Sequence, residues 1–155
     1  MVNCHVDKQY NRYLISSEDF IEAKGYLEAL ESNPADGVVC RALLMAAIVS
    51  YCRPFTNNSG NRDGAIPSIS QKFINELASD EKSLHEKLTE LRHKVLAHSD
   101  FDAKACQRAP DGMALMKVVD ILNENININL FLKIADSMAA KCMRKNIALD
   151  REHPL

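Results

Sequence analysis

Residues 38–51, VVCRALLMAAIVSY, form the longest apolar stretch in this chain of 155 amino acids. Apolar side chains surround almost the whole helical circumference of the stretch, and Arg41 is its only charged residue. Pro34 and Asp36 favour a helix start before it, and Pro54 follows its end. The run is too short to cross about 30 Å of hydrocarbon. We therefore expect a buried helix at the centre of the core.

A first helix is predicted to start near Ser17, because Ser16 and Ser17 can cap a helix and acidic residues follow them. A polar loop is predicted over residues 57–67, followed by a short helix around 70–78. Asp80 is the expected cap of a longer helix that runs to about Ala97. Apolar residues at helical spacing predict the buried faces of the first and fourth helices: Phe20, Ala23, Leu27, Leu30, Leu84, Leu88, Leu91 and Val95.

The last helix is expected to begin within residues 125–129. Its basic residues would then meet the C-terminal dipole, and its apolar residues would face inward. The basic set is Lys141, Arg144 and Lys145, and the apolar set is Leu130, Phe131, Ile134, Met138 and Met143. The apolar run from Met113 to Leu122 is ambiguous, and one reading of it is a short strand near residues 113–119 that involves Val118, Val119 and Ile121. Together these patterns predict a single all-α domain over residues 1–155, an antiparallel bundle of four to five helices with residues 1–15 and 150–155 loosely ordered.

Composition narrows the class of protein. Hydrophobic residues make up 46% and charged residues 26%, as is usual for globular domains, and no secretory signal is visible at the start. We expect a cytoplasmic protein with no membrane partner. Five cysteines without a CxxC pair argue against a disulfide framework and a structural zinc site. Since the formal net charge is −2, a polyanion would need a local cluster of cations.

The densest polar cluster is LRHKVLAHSD, residues 91–100, at the end of the fourth predicted helix. Arg92 supplies a permanent planar cation that suits phosphate oxygens. His98 supplies an imidazole that exchanges a proton near neutral pH. These are the groups needed to cleave RNA without a metal: a base for the ribose 2′-hydroxyl and a cation for the transition-state charge.

This segment resembles the R-x4-6-H motif of HEPN domains, with Arg92, five intervening residues and His98. His93 stands where the family often has a polar residue, more usually asparagine. The resemblance implies a helical bundle and an endoribonuclease that needs no metal or other cofactor. It also implies a homodimer, often the toxin of a toxin–antitoxin or phage-defence system beside a nucleotidyltransferase-type antitoxin. The alternative is a non-catalytic helical dimer that binds a nucleotide or a protein partner.

Helix geometry gives a separate reason to expect two copies. Six residues along a straight helix rise roughly 9 Å and turn by about 240°, so Arg92 and His98 would point to different faces of one chain. A two-fold axis near this helix end would gather two arginines and two histidines around one phosphate. A break of the helix near Ala97 would be another way to redirect His98.

Four further residues are candidates for supporting roles: His93, Ser99, Asp100 and Arg53. His93 is a candidate to position the phosphate or donate a proton, and Ser99 and Asp100 either orient His98 or end the helix through their own backbone bonds. Arg53, before Pro54, either adds a phosphate contact or only complements a helix dipole. The spacing of the three histidines at 85, 93 and 98 does not place them on one helical face, so no metal site is predicted.

Overall fold

The computed structural model of the protein is mostly helical and describes the chain in six segments. They are residues 4–34, 37–56, 68–93, 106–108, 114–116 and 120–153. Within them lie five α-helices: α1 (Cys4–Ser32), α2 (Gly37–Cys52), α3 (Lys72–Asn75), α4 (Ser79–Leu91) and α5 (Ile128–Glu152). Two 3-10 turns, Arg53–Phe55 and Ile121–Asn123, follow α2 and precede α5. This composition agrees with the all-α class that the sequence predicts.

The two longest helices, α1 and α5, lie side by side and run in opposite directions. Lys24 on α1 pairs with Asp136 on α5 at 2.7 Å. Nearer the start of α1, the side-chain amide of Asn146 bridges the Tyr10 carbonyl and the Leu14 N–H, each at 3.1 Å, in the orientation that satisfies both groups. α2 also packs along α1, so α1 contacts both α2 and α5.

The core is centred on the ring of Tyr51 at the end of α2. Its centroid lies 5.6 Å from Phe20 of α1, 5.4 Å from Phe55 and 5.2 Å from Phe131 of α5. Such aromatic pairs are worth about 0.5–1.5 kcal/mol each beyond the area that they bury. Aliphatic side chains from four helices complete the core: Leu27, Leu44, Ile48, Leu88, Ile134 and Met138.

The start of α1 differs from the prediction. The helix begins at Cys4 and not near Ser17, so residues 4–15 form its first turns. Ser16 and Ser17 are buried within the helix, and the Ser17 hydroxyl donates to the Leu14 carbonyl at 2.8 Å. A serine can bond a carbonyl of the preceding turn as readily as it can cap. Packing against α5 and α3 therefore sustains a helix across a pattern typical of a helix start.

The start of α4 also differs in detail. Asp80 lies in the first turn, and Ala78 occupies the cap position. The Ala78 N–H is satisfied by the Glu81 carboxylate at 3.0 Å, so half of a capping box is present. α3 forms one turn within the predicted span 70–78. α4 buries three leucines as predicted, Leu84, Leu88 and Leu91, whereas Val95 and the predicted end near Ala97 lie outside the described residues.

α5 begins within the predicted range, with the Asn127 side chain accepting from the Leu130 N–H at 3.0 Å. It runs to Glu152, so Lys141, Arg144 and Lys145 do not meet a C-terminal dipole as predicted. They lie two to three turns before the end of the helix.

The buried face of α5 also differs from the prediction at one position. Phe131, Ile134 and Met138 are fully buried as expected, but Met143 is 51% exposed. Cys142 and Asn146 are buried in its place. The face that meets α1 follows helical spacing through these two residues, so an asparagine falls inside and a methionine outside. Hydrophobicity alone favours burial of the methionine, so it predicts the wrong residue at this point of the helix.

Two three-residue strands, Cys106–Arg108 and Ala114–Met116, pair antiparallel in the chain between α4 and α5. The second lies within the range 113–119 for which the sequence offers a short strand. Ile121 does not continue that strand, because it begins a 3-10 turn and is buried. The two valines of that range and the predicted polar loop at 57–67 lie outside the described residues.

α2 has a mixed environment. By length and composition, the segment Gly37–Phe55 is apolar enough to cross a membrane, and 44% of its most apolar window is buried within the fold. The second half of α2 reaches the core as predicted. Val38, in contrast, is 78% exposed at the start of the helix, so the prediction of a helix buried along its whole length is wrong there.

Replacing Phe131 with alanine should lower the free energy of unfolding by about 3–5 kcal/mol, because it leaves a cavity beside Tyr51. Met143→Ala is the matched control on the same helix, and its half-exposed side chain should contribute less than about 1 kcal/mol. Urea denaturation followed by circular dichroism measures both. Equal losses in the two variants would contradict the assignment of the core.

Candidate functional site

The C-terminal end of α4 carries Arg92 and His93, the described part of the predicted cluster. Leu88 and Leu91 are buried beneath this end and hold it against the core. The Arg92 N–H is shared between the carbonyls of Leu88 and Thr89, and the chain continues through His93 as a π turn. The helical conformation thus reaches the point where the predicted motif begins.

Arg92 is half-buried, and its charge acts on Cys52 at the end of α2. Burial raises the pKa of the Cys52 thiol to about 12, while Arg92 and a hydrogen bond with Thr89 oppose that rise. The thiol therefore stays protonated at neutral pH and is not a nucleophile. His93 is exposed to solvent. This helix end thus offers a cation and an accessible imidazole, not a reactive cysteine.

The remaining residues of the predicted cluster, His98, Ser99 and Asp100, lie outside the described residues. The approach of His98 to Arg92 therefore stays a prediction, and so do the supporting roles of Ser99 and Asp100. The structure contributes the position of Arg92, at the end of α4 as the sequence indicates.

Arg53, the other candidate for a phosphate contact, is engaged by two carboxylates of α1. Its guanidinium lies 3.2 Å from Asp19 and 2.7 Å from Glu22. The Ser50 hydroxyl also donates to Glu22, and this bond is the main cause of the lowered pKa of that carboxyl. A phosphate would have to compete with both carboxylates for the guanidinium. The described contacts therefore give Arg53 a structural role, joining the end of α2 to α1.

His85 is a buried imidazole that the sequence did not single out as a core residue. Its Nδ1 lies 3.1 Å from the Tyr51 hydroxyl, and its ring packs 4.6 Å from that of Phe55. Desolvation lowers the pKa of His85, with a smaller opposing effect from Glu86. The signal available in the sequence was its place beside Leu84 on the buried face of α4. Among the described residues, no three potential ligands gather into a metal site.

A second group that the sequence did not reveal lies between α1 and α5. Arg12 is only 4% exposed and donates to the Pro54 carbonyl, while its Nε and the Ser16 hydroxyl have no hydrogen-bond partner. Burial raises the pKa of the Cys142 thiol to about 12, opposed in part by the charge of Arg12. Deep burial and the absence of a reactive thiol make this group a structural contact between helices.

No family model matches the chain, and no curated protein or solved structure is detectably similar to it. The Arg92 end of α4 is the part of the described structure that bears on the predicted chemistry.

The stability of the protein should fall as the pH drops below about 6.5, because His85 has a lowered pKa in the folded state and the unfolded chain takes up that proton first. The contribution of His85 is complete above its unfolded pKa and decreases by up to about 1.4 kcal/mol per pH unit below it. Urea denaturation between pH 8 and pH 5 measures the slope.

His85→Gln should flatten this slope, and His93→Gln is the matched control, which makes the same exchange at an exposed position. The two positions lie about two helical turns apart. An unchanged slope in His85→Gln would show that other groups cause the pH dependence.

Proposed function

We propose that the chain is a metal-independent endoribonuclease of the HEPN type that acts as a homodimer. The observation that carries the proposal is the Arg92 to His98 motif, whose arginine lies at the end of a core-packed helix. The mostly helical fold agrees with what the resemblance implies. The finer arrangement, an antiparallel HEPN-like bundle, is part of the proposal.

The proposed reaction is attack of the ribose 2′-oxygen on its neighbouring phosphorus. His98 accepts the 2′-hydroxyl proton, the new O–P bond forms, and the bond from phosphorus to the 5′-oxygen breaks. A second imidazole, that of His93 or of the other copy of His98, protonates the leaving 5′-oxygen. Arg92 stabilises the additional negative charge on the phosphoryl oxygens as it develops. The products carry a 2′,3′-cyclic phosphate and a 5′-hydroxyl.

Two features of the described structure support the role of Arg92. The buried Leu88 and Leu91 fix the helix end, so the cation is held by a rigid element. Its half-buried position also reduces solvent screening of its charge compared with a fully exposed arginine.

We propose that the site forms across two chains, because a straight helix from Arg92 to His98 would point the two side chains apart in one copy. A two-fold axis beside the end of α4 would bring Arg92 of one subunit to His98 of the other. We further propose that the protein acts in the cytoplasm as a toxin or defence component, with a nucleotidyltransferase-type antitoxin as its partner.

Purified protein should cleave single-stranded RNA in the presence of EDTA and leave cyclic phosphate ends. Arg92→Ala and His98→Ala should each reduce the rate by at least about 100-fold, the scale of losing one transition-state contact or a general base. Arg151→Ala, which removes an exposed arginine near the end of α5, should cleave like the wild type. Gel analysis with end-labelled RNA reads both rate and product.

Cleavage that persists in both site variants would end the proposal. Absence of cleavage by the wild type, with saturable nucleotide binding that requires Arg92, would favour the non-catalytic dimer instead.

Mixing the two inactive variants tests the shared site. A heterodimer of the Arg92→Ala chain with the His98→Ala chain keeps one intact arginine and one intact histidine on different subunits. If the site is built across the two-fold axis, co-expressed and co-purified heterodimers should recover cleavage by at least about tenfold over either homodimer. No recovery would contradict a site that needs only one Arg92 and one His98 from different subunits.

A further inference from the structure

A half-open groove lies between the first turns of α1, α3 and the second half of α5. Its volume is about 640 Å³, within the range of small-molecule sites. Six of the residues that line it carry the argument: Tyr13, Lys72, Phe73, Lys141, Arg144 and Lys145. None of them belongs to the Arg92 end of α4, so the groove is a separate site.

Helical spacing places three cations along one wall of the groove. Lys141, Arg144 and Lys145 follow each other at steps of three and one, so they share one flank of α5 within about 6 Å of axial rise. The core-facing Cys142 and the exposed Met143 point elsewhere. The basic run thus presents its charges to the groove and not to a helix end.

The opposite wall comes from α3, which adds a fourth cation, Lys72. Phe73 is 5% exposed, and its ring stacks on Tyr13 of α1 at 6.0 Å with an angle of 23° between the rings. This aromatic contact holds the short α3 against α1. The position of Lys72 across from α5 therefore depends on a packed pair and not on a free loop.

The charges of the groove are poorly balanced. Glu76 is the one carboxylate in its lining, and it pairs with Lys141 at 3.1 Å. Within the described segments, no carboxylate lies within ion-pair distance of Lys72, Arg144 or Lys145. The lining carries four cations against one anion, although the whole chain has a formal net charge of −2. Like charges held together repel one another, and a bound anion removes that repulsion.

We propose that this groove binds a small molecule that carries two or three linked phosphates. Its excess of three positive charges matches an oligophosphate better than a single carboxylate or phosphate. Arg144 supplies the planar fork that bonds two phosphate oxygens at once, and the lysines supply compact charges beside it. The volume of about 640 Å³ is in the range of small-molecule sites, so the expected occupant is a small molecule and not a nucleic-acid strand.

Isothermal titration with inorganic tripolyphosphate tests the site at near-physiological salt, because screening suppresses unspecific attraction there. Tripolyphosphate should bind the wild type at least about tenfold more tightly than orthophosphate or citrate. Arg144→Gln/Lys145→Gln should weaken its binding by at least about tenfold, since it removes two of the four cations. A thermal melt of each variant confirms that it is folded.

The matched control is Lys82→Gln/Arg151→Gln, which removes two cations outside the groove. Its affinity for tripolyphosphate should stay within about twofold of the wild type. Equal weakening in both double variants, or equal binding of citrate, would overturn the proposal. An oligouridine that binds through Arg144 and Lys145 more tightly than tripolyphosphate would also overturn it, in favour of an RNA strand. Each outcome is independent of RNA cleavage at Arg92.

Discussion

The Tyr51 ring is buried where α1, α4 and α5 meet the end of α2. One side chain at the end of α2 contacts Phe20 of α1, His85 of α4 and Phe131 of α5. Its hydroxyl is satisfied by the His85 imidazole, so a polar atom can remain in the centre of the core without an unpaired hydrogen bond. Three helices therefore take their positions from a single aromatic residue, and the Arg92 end of α4 is oriented as a result.

Several helices could be predicted from the sequence, because their apolar residues recur at clear helical spacing. The leucine face of α4 and the start of α5 follow from local chemistry alone. The start of α1 could not be predicted, since Ser16 and Ser17 carry the signal of a cap while packing from distant segments makes them interior residues. The burial of Asn146 could not be predicted for the same reason, because its hydrogen-bond partners lie far away in the sequence.

The candidate site was predictable in part. Arg92 stands out because a histidine follows at a recognisable distance, and its place at the end of α4 agrees with that reading. In the sequence, Arg53 was a candidate for a phosphate contact, as Arg92 was. In the structure it pairs with Asp19 and Glu22 of α1. The sequence could not reveal these pairs, because they depend on how α2 packs against α1. The prediction that the basic run of α5 meets the C-terminal dipole was wrong, because the helix continues well beyond these residues.

The bridge from Asn146 to the backbone of α1 has a consequence for the order in which the chain folds. The first turns of α1 are made early by the ribosome, but the amide that engages them belongs to a residue about 130 positions later. Contacts of such long sequence separation form late, because a large loop must close first. During synthesis the first turns of α1 therefore lack their contact with α5 until that helix has been made, and they are exposed during that interval.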